Sequence, residues 1–240
     1  MTYLTPNVKI PATGGQMDGF LARPDGSVKG AVIMQVELWG MTAHMQEVAE
    51  RLADAGYAAV AIDLFRGARP PVPTDPVEKW SDTFQGFDDI RATLDSRHTL
   101  DWLLRGDAGF DAGAVFAWGF CMGGRFAHNL AACDPRLAGA INFYGRVNFP
   151  RMETKPFLPI EITRLIECPY LGAFAEVDDL IPDADIARMR ADLAGNSNAL
   201  IEVYEGTEHA FFNDHRDAYH AQAAERAWRQ VIAFLGRHAG

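Results

Sequence analysis

Ala114-Val-Phe-Ala-Trp-Gly119-Phe-Cys121-Met-Gly-Gly124 decides how this chain is read. Ala114 to Phe120 is apolar throughout and rich in Val, Phe and Trp, the pattern of a strand buried on both faces. Gly119 and Gly123 bracket Cys121 at one residue's remove, which is the Gly-x-nucleophile-x-Gly elbow between a strand and a helix, with cysteine where serine is usual. At such an elbow the nucleophile is held at a strained backbone angle, and its neighbours must lack bulk so that strand and helix can approach. A thiol placed there meets a helix N-terminus, whose dipole and free N–H groups favour the thiolate. The Met122 amide then lies where an oxyanion forms, and a second donor is expected from Leu38, in the loop after an earlier strand.

On either side of the elbow the chain alternates short β-branched runs with longer amphipathic stretches, the pattern of a mostly parallel, twisted α/β sheet with helices on both faces. Upstream, strands are expected at Ala31–Val36 and Tyr57–Asp63, helices at Thr42–Ala55 and within Asp82–Arg105, and a Pro-rich loop at Arg66–Pro76. Downstream come helices at Gly123–Ala132, Asp183–Leu193 and about His215–Arg237, with strands at Ala138–Tyr144, Cys168–Ala175 and Ala199–Tyr204. The residues before 25 read as one or two antiparallel edge strands. In open sheets of this kind reactive groups gather in loops at the carboxyl ends of strands.

The 240 residues, 48% of them hydrophobic, suffice for one full core, and a single α/β domain spanning 1–240 is expected. Cys121, Cys133 and Cys168 form no paired spacing, so neither a disulfide framework nor a Cys-rich metal site is suggested, and a reducing, cytoplasmic setting fits. No stretch approaches the roughly 18 apolar residues of a membrane span. A net charge of −10 with scattered Lys and Arg argues against nucleic-acid binding. No His, Cys or carboxylate spacing matches a metal-ligand set, and no cofactor is expected. Monomer and homodimer both remain open.

His209 falls in the loop Glu205-Gly-Thr-Glu-His-Ala-Phe-Phe212 after the last strand. The other histidines, His44, His98, His128, His215, His220 and His238, fall on expected helices or their ends and read as solvated. Asp178, in Phe174-Ala-Glu-Val-Asp-Asp179, precedes His209, giving the chain order nucleophile, acid, histidine. Asp179 competes with it, and either carboxylate also suits a helix cap.

Four places together resemble the dienelactone hydrolase (carboxymethylenebutenolidase) family of the α/β-hydrolase superfamily: Glu37-Leu-Trp-Gly40, Gly119-Phe-Cys-Met-Gly-Gly124, Glu176-Val-Asp-Asp-Leu-Ile-Pro182 and His209-Ala-Phe211. The resemblance implies an α/β-hydrolase fold and cysteine-dependent opening of a lactone or ester through a thioester. It places the acid on Asp178 and a thiol-controlling carboxylate on Glu37. One departure stands out: Asn213 occupies the position of a family arginine that grips a substrate carboxylate. Arg66, Arg69 or Arg216 would have to replace it, and Trp39 and Phe211, flanking catalytic positions, are the expected aromatic substrate contacts. The rival readings are a general small-ester carboxylesterase and, from another class, a thiol-based redox sensor or non-catalytic ligand binder.

Overall fold

The computed structural model describes residues 2–240. Its elements, in chain order, are β1 (Val8–Ala12), β2 (Gly15–Ala22), β3 (Ala31–Gln35), α1 (Ala43–Asp54), β4 (Ala58–Ile62), α2 (Val77–Gly86), α3 (Asp89–Leu104), β5 (Val115–Phe120), α4 (Met122–Cys133), β6 (Gly139–Phe143), α5 (Pro159–Ile162), β7 (Tyr170–Val177), α6 (Asp183–Asp192), β8 (Ala199–Glu208) and α7 (Ala221–His238). A short 3-10 turn, Thr163–Leu165, follows α5. The strands form one sheet in the order β1-β2-β4-β3-β5-β6-β7-β8. β3 to β8 pair in parallel, while β1 and β2 add an antiparallel hairpin at one edge.

β3 is flanked by β4 on one side and β5 on the other, so the order of winding reverses between β3 and β5. At such a switch point the loops leaving the two strands diverge and open a crevice. Glu37 leaves β3 into that crevice and Cys121 leaves β5. Alternate residues of β5 sort to opposite faces. Phe116, Trp118 and Phe120 meet Phe234, Trp228 and Phe212 respectively. Arg51 of α1 lies over the Trp228 ring of α7 at 4.1 Å, so these two helices share that face.

The long helix expected within Asp82–Arg105 is two helices. Phe87 takes an extended conformation and is buried, and Asp88 caps α3 by accepting from the Arg91 amide. Lys155 stabilises the break, because its buried Nζ donates to the orphaned carbonyls of Gln85 and Phe87. Nearby, Asp89 takes a bidentate contact from Arg125 at 2.8 and 2.9 Å, with the Lys155 Nζ at 3.7 Å. All three groups are buried. Removing the shared anion would leave a guanidinium that cannot shed its proton. Asp89→Asn is therefore expected to cost about 3–5 kcal/mol in urea unfolding, and an unchanged midpoint would refute this account of the joint.

Two other boundaries move. β8 runs on to Glu208, past the expected end at Tyr204, because Gly206 turns with φ 69° and donates to the Glu176 carboxylate at 2.7 Å. α7 begins at Ala221 rather than near 215, capped by His220, whose ring accepts from the Ala223 amide. Among the described residues no helix is long and apolar enough to cross a membrane.

Candidate active site

Cys121 sits between β5 and α4 with φ 51° and ψ −115°, a conformation that costs a non-glycine residue of order 1–3 kcal/mol. Its amide donates to the Phe143 carbonyl at 2.9 Å, so the neighbouring strand holds the bend. The flanking glycines are obligatory on distance alone. A Cβ at Gly119 would lie 2.0 Å from the Gly123 carbonyl oxygen, and one at Gly123 would lie 2.0 Å from that of Gln35. The start of α4 is thereby pressed against the end of β3, next to the Glu37–Gly40 loop. As the first residue of α4, Met122 has an amide without an intrahelical acceptor.

The last two parallel strands position the other groups. β7 and β8 pair as far as Val177 and Glu208, with a register shift after Ala175. Asp178 and His209 are the next residue on each strand. His209 Nδ1 lies 2.6 Å from Asp178 Oδ2, and its Nε2 lies 3.1 Å from Cys121 Sγ. The other Asp178 oxygen accepts from the Leu180 amide at 3.0 Å, so both carboxylate oxygens are held. Asp179 is exposed and takes no part.

The His209 side chain is 24% exposed and the Asp178 side chain 2%. Burial opposes a charged imidazole, but the anionic sulfur of Cys121 and the Asp178 carboxylate outweigh it, and the His209 pKa rises from 6.5 to about 10. The sulfur's contribution exists only while its charge does. Once the sulfur carries a neutral group, burial acts against the imidazolium with one opponent fewer, and the ring becomes the better base. An NMR titration of the imidazole should therefore find His209 protonated at neutral pH, and its pKa lower in both Cys121→Ala and Asp178→Asn. A His209 that titrates identically in all three proteins would contradict this coupling.

A second carboxylate is buried against Tyr144, the tyrosine whose ring packs on His209. Glu37 is 1% exposed, with Asn213 Nδ2 donating to it at 2.9 Å and the Tyr144 hydroxyl at 3.5 Å. Burial first, then the charges of Glu37 and Cys121, push the Tyr144 phenol well above its usual pKa of 10, keeping it a donor. The Tyr144 and His209 rings are 5.2 Å apart. Asn213 thus stands where an arginine was expected and spends its amide on Glu37. Its role as a carboxylate partner is not legible in the sequence, because 176 residues separate the pair.

Trp39 packs edge-on against Trp80 of α2 at 5.2 Å, and the Arg216 guanidinium lies 4.9 Å above the Trp39 ring. Arg216 Nη1 is buried without a hydrogen-bond partner. Two of the expected substrate contacts are placed otherwise. Phe211 is fully buried between Tyr204, Phe143 and Tyr144 and offers no surface to a ligand. Arg66 is committed to the buried Asp95 at 3.0 Å and to the Thr13 carbonyl at 3.1 Å. Arg69 is exposed in the Pro-rich loop.

Two histidines expected in solvent are core residues. His128 bonds Tyr170, Thr163 and the Pro159 carbonyl, and burial lowers its pKa to about 4, so it remains neutral. His44 is 2% exposed, with Nδ1 2.9 Å from Asp214.

A mostly parallel sheet with a cysteine at the β5–α4 elbow and a carboxylate–imidazole pair from the last two strands defines an α/β-hydrolase fold. Residues 17–239 match the model of the dienelactone hydrolase family. The chain belongs to that family and is a hydrolase. An Escherichia coli O157:H7 protein named "Putative carboxymethylenebutenolidase" is 32% identical over 236 residues, covering 96% of this chain and 86% of its own. A Bradyrhizobium protein named "Probable 2-oxo-3-(5-oxofuran-2-ylidene)propanoate lactonase" is 29% identical, covering 96% and 93%. The crystal structure described as a "Putative Dienelactone Hydrolase" from Klebsiella pneumoniae superposes with a TM-score of 0.87 at 31% identity, covering 95% of this chain and 96% of that one.

Proposed function

We propose that this hydrolase opens a lactone or a small carboxylic ester by acyl transfer to Cys121. The observation that carries the reading is the continuous line Asp178, His209, Cys121 at 2.6 and 3.1 Å. The thiolate adds to the ester carbonyl, and the Met122 and Leu38 amides receive the oxyanion. Collapse expels the alkoxide, which takes the imidazolium proton of His209 and leaves a thioester on Cys121. With the sulfur neutral, His209 returns to a base and draws a proton from water as it attacks the thioester. The acid departs, and the proton left on His209 restores the ion pair.

Glu37 is the carboxylate that the family resemblance assigns to control of the Cys121 thiol, and Tyr144 and Asn213 fix its orientation. Trp39 and Trp80 supply an apolar wall. Arg216, with an unpaired donor beside Trp39, is the better placed of the arginines to meet a carboxylate on the substrate. The three free cysteines favour a reducing, cytoplasmic setting. The second reading, a general small-ester carboxylesterase, is favoured by Asn213 in place of an arginine.

The test is hydrolysis of a dienelactone beside a short-chain aryl ester, with mass spectrometry of the peptide that carries Cys121. Lactone opening with a trapped acyl adduct on Cys121 supports the first reading. Aryl-ester turnover alone supports the second. Neither turnover nor adduct, with reversible oxidation of Cys121, would overturn both in favour of a sensor.

A further inference from the structure

We propose that His44, Glu47, Asp214 and His215 form a binding site for one divalent transition-metal ion, of which Zn2+ is the best-fitting representative. The site is separate from the thiol, the imidazole and the Glu37 carboxylate of the proposed chemistry. His44 and Glu47 lie three residues apart on the first turns of α1, where that spacing puts two side chains on one face. Asp214 and His215 come from the loop between β8 and α7, which closes over that face.

The donor atoms are already gathered. One donor each from His44, Glu47 and Asp214 lie within 4.8 Å of one another. His44 Nδ1 is 2.9 Å from Asp214 Oδ1, and His215 Nε2 is 2.9 Å from Glu47 Oε2 and 3.9 Å from Asp214 Oδ1. Around a tetrahedral zinc ion, ligand atoms stand about 3.4 Å apart, given bonds of about 2.0–2.2 Å. Small shifts along pairs that are now hydrogen-bonded would therefore admit the ion.

Charge points the same way. With neutral imidazoles the four side chains carry two negative charges, and among the described residues neither carboxylate pairs with a lysine or arginine. Two imidazoles and two carboxylates are a borderline ligand set that suits Zn2+ and disfavours hard, all-oxygen ions such as Ca2+.

The His44 ring is anchored rather than free. It is 2% exposed, and its Nε2 has no hydrogen-bond partner beside Phe120 and Phe212, whose rings lie 6.4 and 6.0 Å away. Its only polar outlet is Nδ1, aimed at Asp214. Coordination through Nδ1 leaves the ring proton on Nε2 facing those aromatic rings. A buried, fixed donor with three exposed or half-exposed partners closing over it is a preorganised site. Its ion would pin the segment that follows Asn213 to α1, and with four protein ligands it would act as a clamp rather than as a Lewis acid.

The experiment is isothermal titration with ZnCl2 of wild type, of Cys121→Ala, and of the double variant Glu47→Gln with His215→Gln, together with visible spectra of the Co2+ complexes. Glu47 and His215 are exposed, so the double variant is expected to fold, which circular dichroism checks. The expected result is one ion per chain in wild type and in Cys121→Ala. The double variant should bind more weakly by more than about tenfold, since losing even an outer-shell partner costs that much. Saturating Zn2+ should also raise the melting temperature of wild type but not of the double variant. No binding in wild type, equal affinity in the double variant, or loss of binding in Cys121→Ala would each overturn the proposal, the last by assigning the ion to the thiol.

Discussion

Replacing Cys121 by alanine is expected to lower ester hydrolysis about a millionfold, the scale on which removing the nucleophile collapses a triad. The loss extends from the sulfur to its partners. Without the thiol, no acyl-enzyme forms, and the Met122 and Leu38 amides can assist only the slow direct attack of water. Binding and the oxyanion donors then supply only residual catalysis. The alanine side chain keeps the Cβ, and the φ of 51° at this position is already borne by a residue with one, so the urea midpoint should move little. Steady-state kinetics with a chromogenic ester, alongside urea unfolding, separates the two quantities. A variant that retains a tenth of wild-type turnover would remove Cys121 from the reaction.

Gly123→Ala is expected to be the most damaging substitution for the fold, costing more than about 4 kcal/mol and leaving little soluble protein. The added methyl would stand 2.0 Å from the Gln35 carbonyl oxygen, 2.4 Å from its carbon and 2.7 Å from the Val36 oxygen. These are backbone atoms at the end of the central strand β3, so no side chain can swing aside to make room. Relief would require α4 to lift from the sheet, carrying Cys121 away from His209. Gly26→Ala is the control, because a Cβ there meets nothing within 4 Å. Its effect should stay within about 0.5 kcal/mol. Equal stability of the two variants in chemical unfolding would show that the close packing at the elbow does not constrain the fold.

These two expectations rest on residues that are legible in the chain. Gly119, Cys121 and Gly123 are contiguous with an unmistakable apolar strand, and local sterics translate directly into the elbow. The order of strands is equally readable, since most of the β-branched runs are separated from the next by a helical period; the short α5 before β7 is not, because four residues carry no helical period. What escapes depends on partners far apart in the chain. Nothing near Phe87 announces that the helix stops there, because the group that satisfies the break is Lys155. His44 reads as solvated because the apolar surroundings that bury it, Phe120 and Phe212, come from β5 and from the loop after β8. The spacing of metal ligands gives no signal for the same reason, with Asp214 170 residues from His44.

Phe211 misleads by proximity. It lies two residues from His209, but the turn through Ala210, at φ 69°, directs its ring into the core. The position of Asn213 raises the question of how a carboxylate is recognised. The carboxylate that this side chain meets in the fold is the enzyme's own Glu37.

The strand pairing that holds Cys121 makes its setting depend on strands that come later in the chain. The elbow's bend is held by the Phe143 carbonyl of β6, and β6 in turn is followed by the Tyr144 amide bonding to Ala173 of β7. The imidazole arrives only with residue 209, after β8 has zipped beside β7 through the register shift. A nascent or partly refolded chain that has formed β5 and α4 alone therefore carries a plain thiol, without a base or a fixed backbone angle. Regain of turnover after dilution from denaturant reports docking of the last strand, and collapse of the central sheet should be visible to tryptophan fluorescence before any turnover returns.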